Sequence, residues 1–94
     1  MDDNMMERQI ADYMVEHGTK NTDSGALVFE VDELAKRFGI EKKWIQEHDD
    51  GIMSWLYFRE EVIDVERELG SDDFTTQLFD VRFSPCFCSG LEDF

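Results

Sequence analysis

The sequence is short of the residues that staple, kink or span a fold. Its two cysteines, Cys86 and Cys88, are one residue apart. A bridge across that spacing would close a strained ring, and one pair makes no disulfide framework. Reduced thiols packed as small apolar groups are expected. The single proline, Pro85, stands where a final strand would end. The six glycines, at 18, 25, 39, 51, 70 and 90, are scattered singly, and no phosphate-cradling loop can be assembled from them. No apolar run approaches the roughly 20 residues needed to cross a bilayer. The opening MDDNMMERQ is acidic where a secretory or organellar leader would be basic. A cytoplasmic protein without membrane association is expected. Cationic side chains are scarce too: nine Lys and Arg stand against 23 Asp and Glu, a formal charge of −14. A field of that sign repels phosphate backbones and acidic membranes and attracts basic surfaces.

What is present is enough to fold. An apolar fraction of 41%, with eight Phe and two Trp, can bury the surface needed to offset chain entropy and excludes a disordered tail. Residues 1–94 are expected to form one domain, with 84–94 as a C-terminal tail that packs or frays.

The periodicity gives the elements. Asn4, with Glu7 as a capping partner, opens a helix in which Met6, Ile10, Tyr13 and Met14 share a face, and Gly18 is its expected stop. Residues 18–25, GTKNTDSG, read as a loop, and 26–31, ALVFEV, as a short buried strand. Asp32 then caps a helix that turns Leu34, Ala35 and Phe38 inward and ends at Gly39 in the left-handed conformation. Ile40 fills the corner before a helix over 41–48 anchored by Trp44 and Ile45. Further on, two patterns compete. Trp55, Phe58, Val62, Val65 and Leu69 recur at helical spacing, which would make 52–69 helical and end it at Gly70. Alternatively, 62–69 is a strand with Ile63, Val65 and Leu69 on one face and Asp64, Glu66 and Glu68 on the other. Phe79, Val81 and Phe83 alternate with Leu78, Asp80 and Arg82, a strand that needs a partner. The hairpin is therefore the preferred reading. The fold class is α+β, with three helices, a short strand and a C-terminal β-hairpin.

Within residues 32–48, DELAKRFGIEKKWIQEH, a small Ala35, a Gly39 four residues on and an apolar Ile45 six further resemble the helix-turn-helix of bacterial and phage regulators. With the preceding helix and strand, residues 4–83 resemble a winged helix whose wing is the hairpin. His48 departs from that pattern, since a further apolar anchor is common there. The composition is similar to that of small acidic phage or mobile-element inhibitors of the DNA-mimic, anti-restriction or anti-CRISPR type.

No catalytic constellation emerges. The carboxylates have no sign of the unequal burial that an acid/base pair requires, and neither His17 nor the His48-Asp49-Asp50 run has zinc-site spacing. A protein without enzymatic activity, cofactor or metal is expected. Two binding readings remain. The preferred one is an inhibitor that lays an acidic face, Asp64, Glu66, Glu68, Asp72 and Asp73 with Glu47, Asp49 and Asp50, into the basic groove of a nucleic-acid-binding protein or nuclease complex. Carboxylates two apart on a strand lie about 6.7 Å apart, on the order of the spacing between neighbouring phosphates. The alternative is a DNA-binding regulator using Lys36, Arg37, Lys42, Lys43 and Gln46, although acidic residues flank that helix and direct nucleic-acid binding is disfavoured.

Overall fold

The computed structural model describes residues 2–22, 25–70 and 75–88. Among them lie four α-helices, α1 (Asp3–Asn21), α2 (Val31–Phe38), α3 (Lys42–Glu47) and α4 (Asp49–Tyr57), and three strands, β1 (Ala26–Glu30), β2 (Val62–Leu69) and β3 (Thr76–Phe83), followed by a short 3-10 turn. The strands form one antiparallel sheet in the order β1-β3-β2. None of the described helices is long and apolar enough to cross a membrane.

The core is built by period. Strand β3 turns Phe79, Val81 and Phe83 to one side, all fully buried, and its neighbours add Phe29 and Val65. Against this inner face the helices set Ile10, Ala11, Met14 and Val15 of α1, Val31, Leu34 and Ala35 of α2, Ile45 of α3, and Ile52 and Leu56 of α4. The whole helical layer therefore lies on one side of the sheet. Cys88 also packs on this core, so the beginning of the expected tail belongs to the domain. Both thiols are free, and burial pushes that of Cys88 up from its ordinary pKa.

Several expectations need correction. Helix α1 is capped by the Asp2 carboxylate, which accepts the Asn4 N–H at 3.2 Å, and it runs through Gly18 to Asn21. Gly18 does not end the helix. It lies where the helix crosses β3, and a Cβ there would fall on the Phe83 ring. Strand β1 stops at Glu30, and Val31 opens α2, where Glu30 rather than Asp32 holds the cap position and makes no side-chain bond. Gly39 does close α2 in the left-handed conformation, at φ 65°.

The expected three helices are four, because the chain breaks at His48 (φ −113°, ψ 18°) and resumes helix at once. The strand over 62–69 is present with the expected bounds, paired to β3, and the helical alternative holds only for the first part of 52–69. The segment is helix to Tyr57, turns, and becomes strand at Val62. Within β2 the expected apolar row is interrupted by a bulge between Val62 and Asp64. Val62 packs on the core in place of Ile63, which is 55% exposed, and Leu69 is also turned to solvent. Phe58, counted on the helical face, is 79% exposed because it lies beyond the end of α4.

Gly18 gives the packing its sharpest test. In an isolated helix Ala is favoured over Gly by about 1 kcal/mol, yet here the added methyl meets a fully buried ring. Gly18→Ala is expected to destabilise the domain by about 1–3 kcal/mol, measured by denaturant unfolding. At Gly51 the atoms nearest to the added Cβ belong to the movable carboxylate of Glu7. Gly51→Ala should therefore be neutral or stabilising in the same assay.

Candidate partner-binding surface

The side of the sheet opposite the helices follows from the same alternation. With Phe79, Val81 and Phe83 inward, Leu78, Asp80 and Arg82 must point outward. The register sets Asp64 opposite Arg82, Glu66 opposite Asp80 and Glu68 opposite Leu78, while across the other border Ala26, Val28 and Glu30 face Arg82, Asp80 and Leu78. Asp64, Glu66, Glu68, Asp80 and Glu30 are all exposed, and Arg82 is the one cation among them. No described element covers this face. Glu66 and Asp80 stand directly across from each other at its centre, where Cβ atoms are about 5 Å apart and like charges are unfavourable.

The expected acidic set thus divides. Asp64, Glu66 and Glu68 share the outer face as anticipated, and Asp80 and Glu30 join them. The parity of Asp80 beside Phe79 and Val81 was readable, but its neighbour across the sheet was not. Glu47 and Asp50 are exposed on the helical layer instead. Asp72 and Asp73 lie outside the described residues.

Asp49 is withdrawn from any surface. Its carboxylate, with the side chain only 12% exposed, accepts from Arg67 Nη1 at 2.7 Å and from the Thr76 hydroxyl. Arg67 also reaches Asp50 at 2.8 Å. These bonds join the start of α4 to β2 and β3, and the two donors, both on Oδ2, offset the cost of placing a carboxylate beneath the sheet.

The alternative DNA-reading set is also largely committed elsewhere. Arg37 lies over the Tyr13 ring, 4.7 Å from its centroid, and Lys42 pairs with Asp32 at 3.5 Å. The Gln46 amide donates to the Thr76 carbonyl at 2.9 Å and to the Thr75 hydroxyl at 3.3 Å, tying α3 to the sheet. Lys36 and Lys43 are exposed.

His48, at the break between α3 and α4, is shifted by its surroundings. Its Nδ1–H donates to the Trp44 carbonyl at 2.7 Å, while Nε2 lies 3.5 Å from the Asp3 carboxylate and the ring stacks on Trp44 at 3.9 Å. The backbone bond to Trp44, then the charges of Asp3 and Glu7, outweigh partial burial and raise its pKa above 6.5. Among the described residues, no three His, Cys, Asp or Glu side chains converge as a metal site.

Two measurements check these assignments. Thr76→Val removes one donor from the Asp49 carboxylate and is expected to cost about 1–3 kcal/mol, read by denaturant unfolding, with a smaller loss when Asp49 is already Asn. For His48, a folded-state pKa above the unfolded value means its contribution is fully present below pH 6.5 and is lost as pH rises through the folded value. Thermal melts of the native protein should show that loss, and His48→Gln should flatten it in that window.

Comparison with protein-family models, curated proteins and solved structures finds no match to this chain.

Proposed function

We propose that the protein is a non-catalytic acidic binder that inhibits a nucleic-acid-binding protein or complex by occupying its basic groove. The observation that carries this reading is the uncovered sheet face, where Asp64, Glu66, Glu68, Asp80 and Glu30 surround one Arg82 and Glu66 is held opposite Asp80. Five carboxylates on a twisted sheet repeat negative charge along the strands and across them. Opposed like charges cost stability, and a basic partner relieves that cost when it binds. The formal charge of −14 adds long-range attraction to such a partner.

The scaffold in this proposal is a winged-helix variant. The order helix, strand, two helices about a glycine turn and a terminal hairpin supports the resemblance, with α4 as an insertion before the wing. The wing in this reading presents Asp64, Glu66 and Glu68 where a duplex-binding wing presents cations. A DNA-binding regulator would depend on Lys36 and Lys43 alone, since Arg37, Lys42 and Gln46 have internal partners. Two cations neutralise too few phosphates to hold a duplex against the surrounding carboxylates.

The test is capture from host lysate followed by elution. The native protein should retain a basic partner that is released by salt and by competing duplex DNA. Replacing Asp64, Glu66 and Glu68 together by Lys should abolish retention while circular dichroism and the melting transition stay intact. Retention of the partner by this variant at unchanged salt dependence, or failure of duplex DNA to displace it, removes the proposal.

A further inference from the structure

The two edges of the sheet are finished differently. Along β2, the edge residue Val65 has its backbone engaged by a side chain: the Tyr57 hydroxyl accepts the Val65 N–H at 3.3 Å and lies 3.0 Å from its carbonyl and 3.1 Å from Asp64 Oδ1. The bulge at Ile63 and the charged Arg67 further blunt that edge. Tyr57 thus stands where a neighbouring strand would be.

Among the described residues no such guard stands at Val28 of β1. Phe83 donates to the Gly25 carbonyl, so the bonded pairs of β1 with β3 are Leu27 with Val81 and Phe29 with Phe79. The N–H and C=O of Val28 then point away from the sheet, and Val28 is 50% exposed. Among the described residues no hydrogen bond reaches either group. Two residues earlier, next to the turn, the Ala26 carbonyl is already taken by the Thr22 hydroxyl. Beside Val28 runs a cleft of about 530 Å³, walled by β1, by Tyr13 and His17 of α1, and by Glu33, Lys36 and Arg37 of α2. Tyr13 and His17 stack at 5.4 Å, and the Phe29 ring meets both edge-on.

We infer that this cleft takes an extended segment of a partner protein, which adds to the sheet as a fourth strand beside β1 and alternates basic and apolar side chains. The backbone exchanges both hydrogen bonds with Val28, as in other strand-addition complexes. Alternation then sends every second side chain to the outer face, opposite Glu30 and beside Val28, with Asp80 in the next strand of that row. Lys or Arg fits there. The intervening side chains enter the cleft among Tyr13, His17, Leu27 and Phe29, where the charges of Glu33 and Glu30 balance those of Lys36 and Arg37 and the rings favour an apolar group. A second copy of this chain is a poor occupant. It would bring another helical layer to the same edge and a second charge of −14. The inference rests on the acidic-surface reading for the sign of the partner's charge, and adds its conformation and side-chain pattern.

The probe is a blocked synthetic octapeptide alternating lysine and valine, followed by nuclear magnetic resonance and calorimetry. Its controls are an isomer with the lysines grouped and a version N-methylated on alternate residues. Binding should protect the Val28 amide from exchange and shift the resonances of Tyr13, His17 and Phe29. Val28→Pro removes the outward donor without touching a bond to β3 and is expected to weaken binding about tenfold. The N-methylated peptide should lose the same affinity on the unaltered protein, which keeps the test intact if the proline variant unfolds. Equal binding of the grouped isomer or of the N-methylated peptide overturns strand addition and leaves the acidic face as the binding determinant. Peptide binding that survives replacement of Asp64, Glu66 and Glu68 by Lys, in a variant that no longer captures the lysate partner, supports the edge as a separate site.

Discussion

Strand β3 is the constraint on which the rest depends. It is bonded on both sides and presents Phe79, Val81 and Phe83 to the helices, each fully buried. Because side chains alternate along a strand, burying that row also settles that Leu78, Asp80 and Arg82 point to water. The helices must gather on the aromatic side, and α1 comes close enough only because Gly18 leaves room for the Phe83 ring. One decision about burial thus creates both the core and the uncovered acidic face.

The polar contacts have a different job from the acidic face. Asp49 with Arg67 and Thr76, and Gln46 with the Thr76 carbonyl, join the helical layer to β2 and β3 through bonds shielded from water. Arg59 does the same on the other flank, meeting both oxygens of Glu61 and reaching Asp12 at 2.7 Å, which holds the Glu61 carboxyl below its ordinary pKa. Part of the small cationic complement is engaged within the chain, at or near its surface. Arg67, Arg59, Arg37 and Lys42 all have internal partners, and the exposed surface is more acidic as a result.

Linear pattern is enough where an element's residues alternate or where a position admits few residue types. The Phe79, Val81, Phe83 alternation identified β3, and its need for a partner identified β2. Gly39 was legible because a left-handed helix end has few other occupants. Gly18 and Gly51 were not, because the same residue type ends a helix or admits a close neighbour, and the neighbours come from 65 and 44 residues away in Phe83 and Glu7. Helix α4 was hidden for a related reason: its Asp-Asp-Gly opening has the composition of a turn, but Asp49 is held by Arg67 and Thr76, and Gly51 lies against α1.

The charge, the α+β class, the terminal hairpin and the outward placement of Asp64, Glu66 and Glu68 are legible in the linear chain, since composition and a period of two are local properties. Tertiary structure alone decided that Asp49 is a buried tie while Glu30 and Asp80 join the exposed face. It also decided that Arg37, Lys42 and Gln46 have partners within the chain, and that Val28 has none among the described residues. The physical reason is that a carboxylate, a cation or a backbone amide has the same local signature whether it meets solvent or a partner. The partner is supplied by strand order and packing between residues distant in the chain.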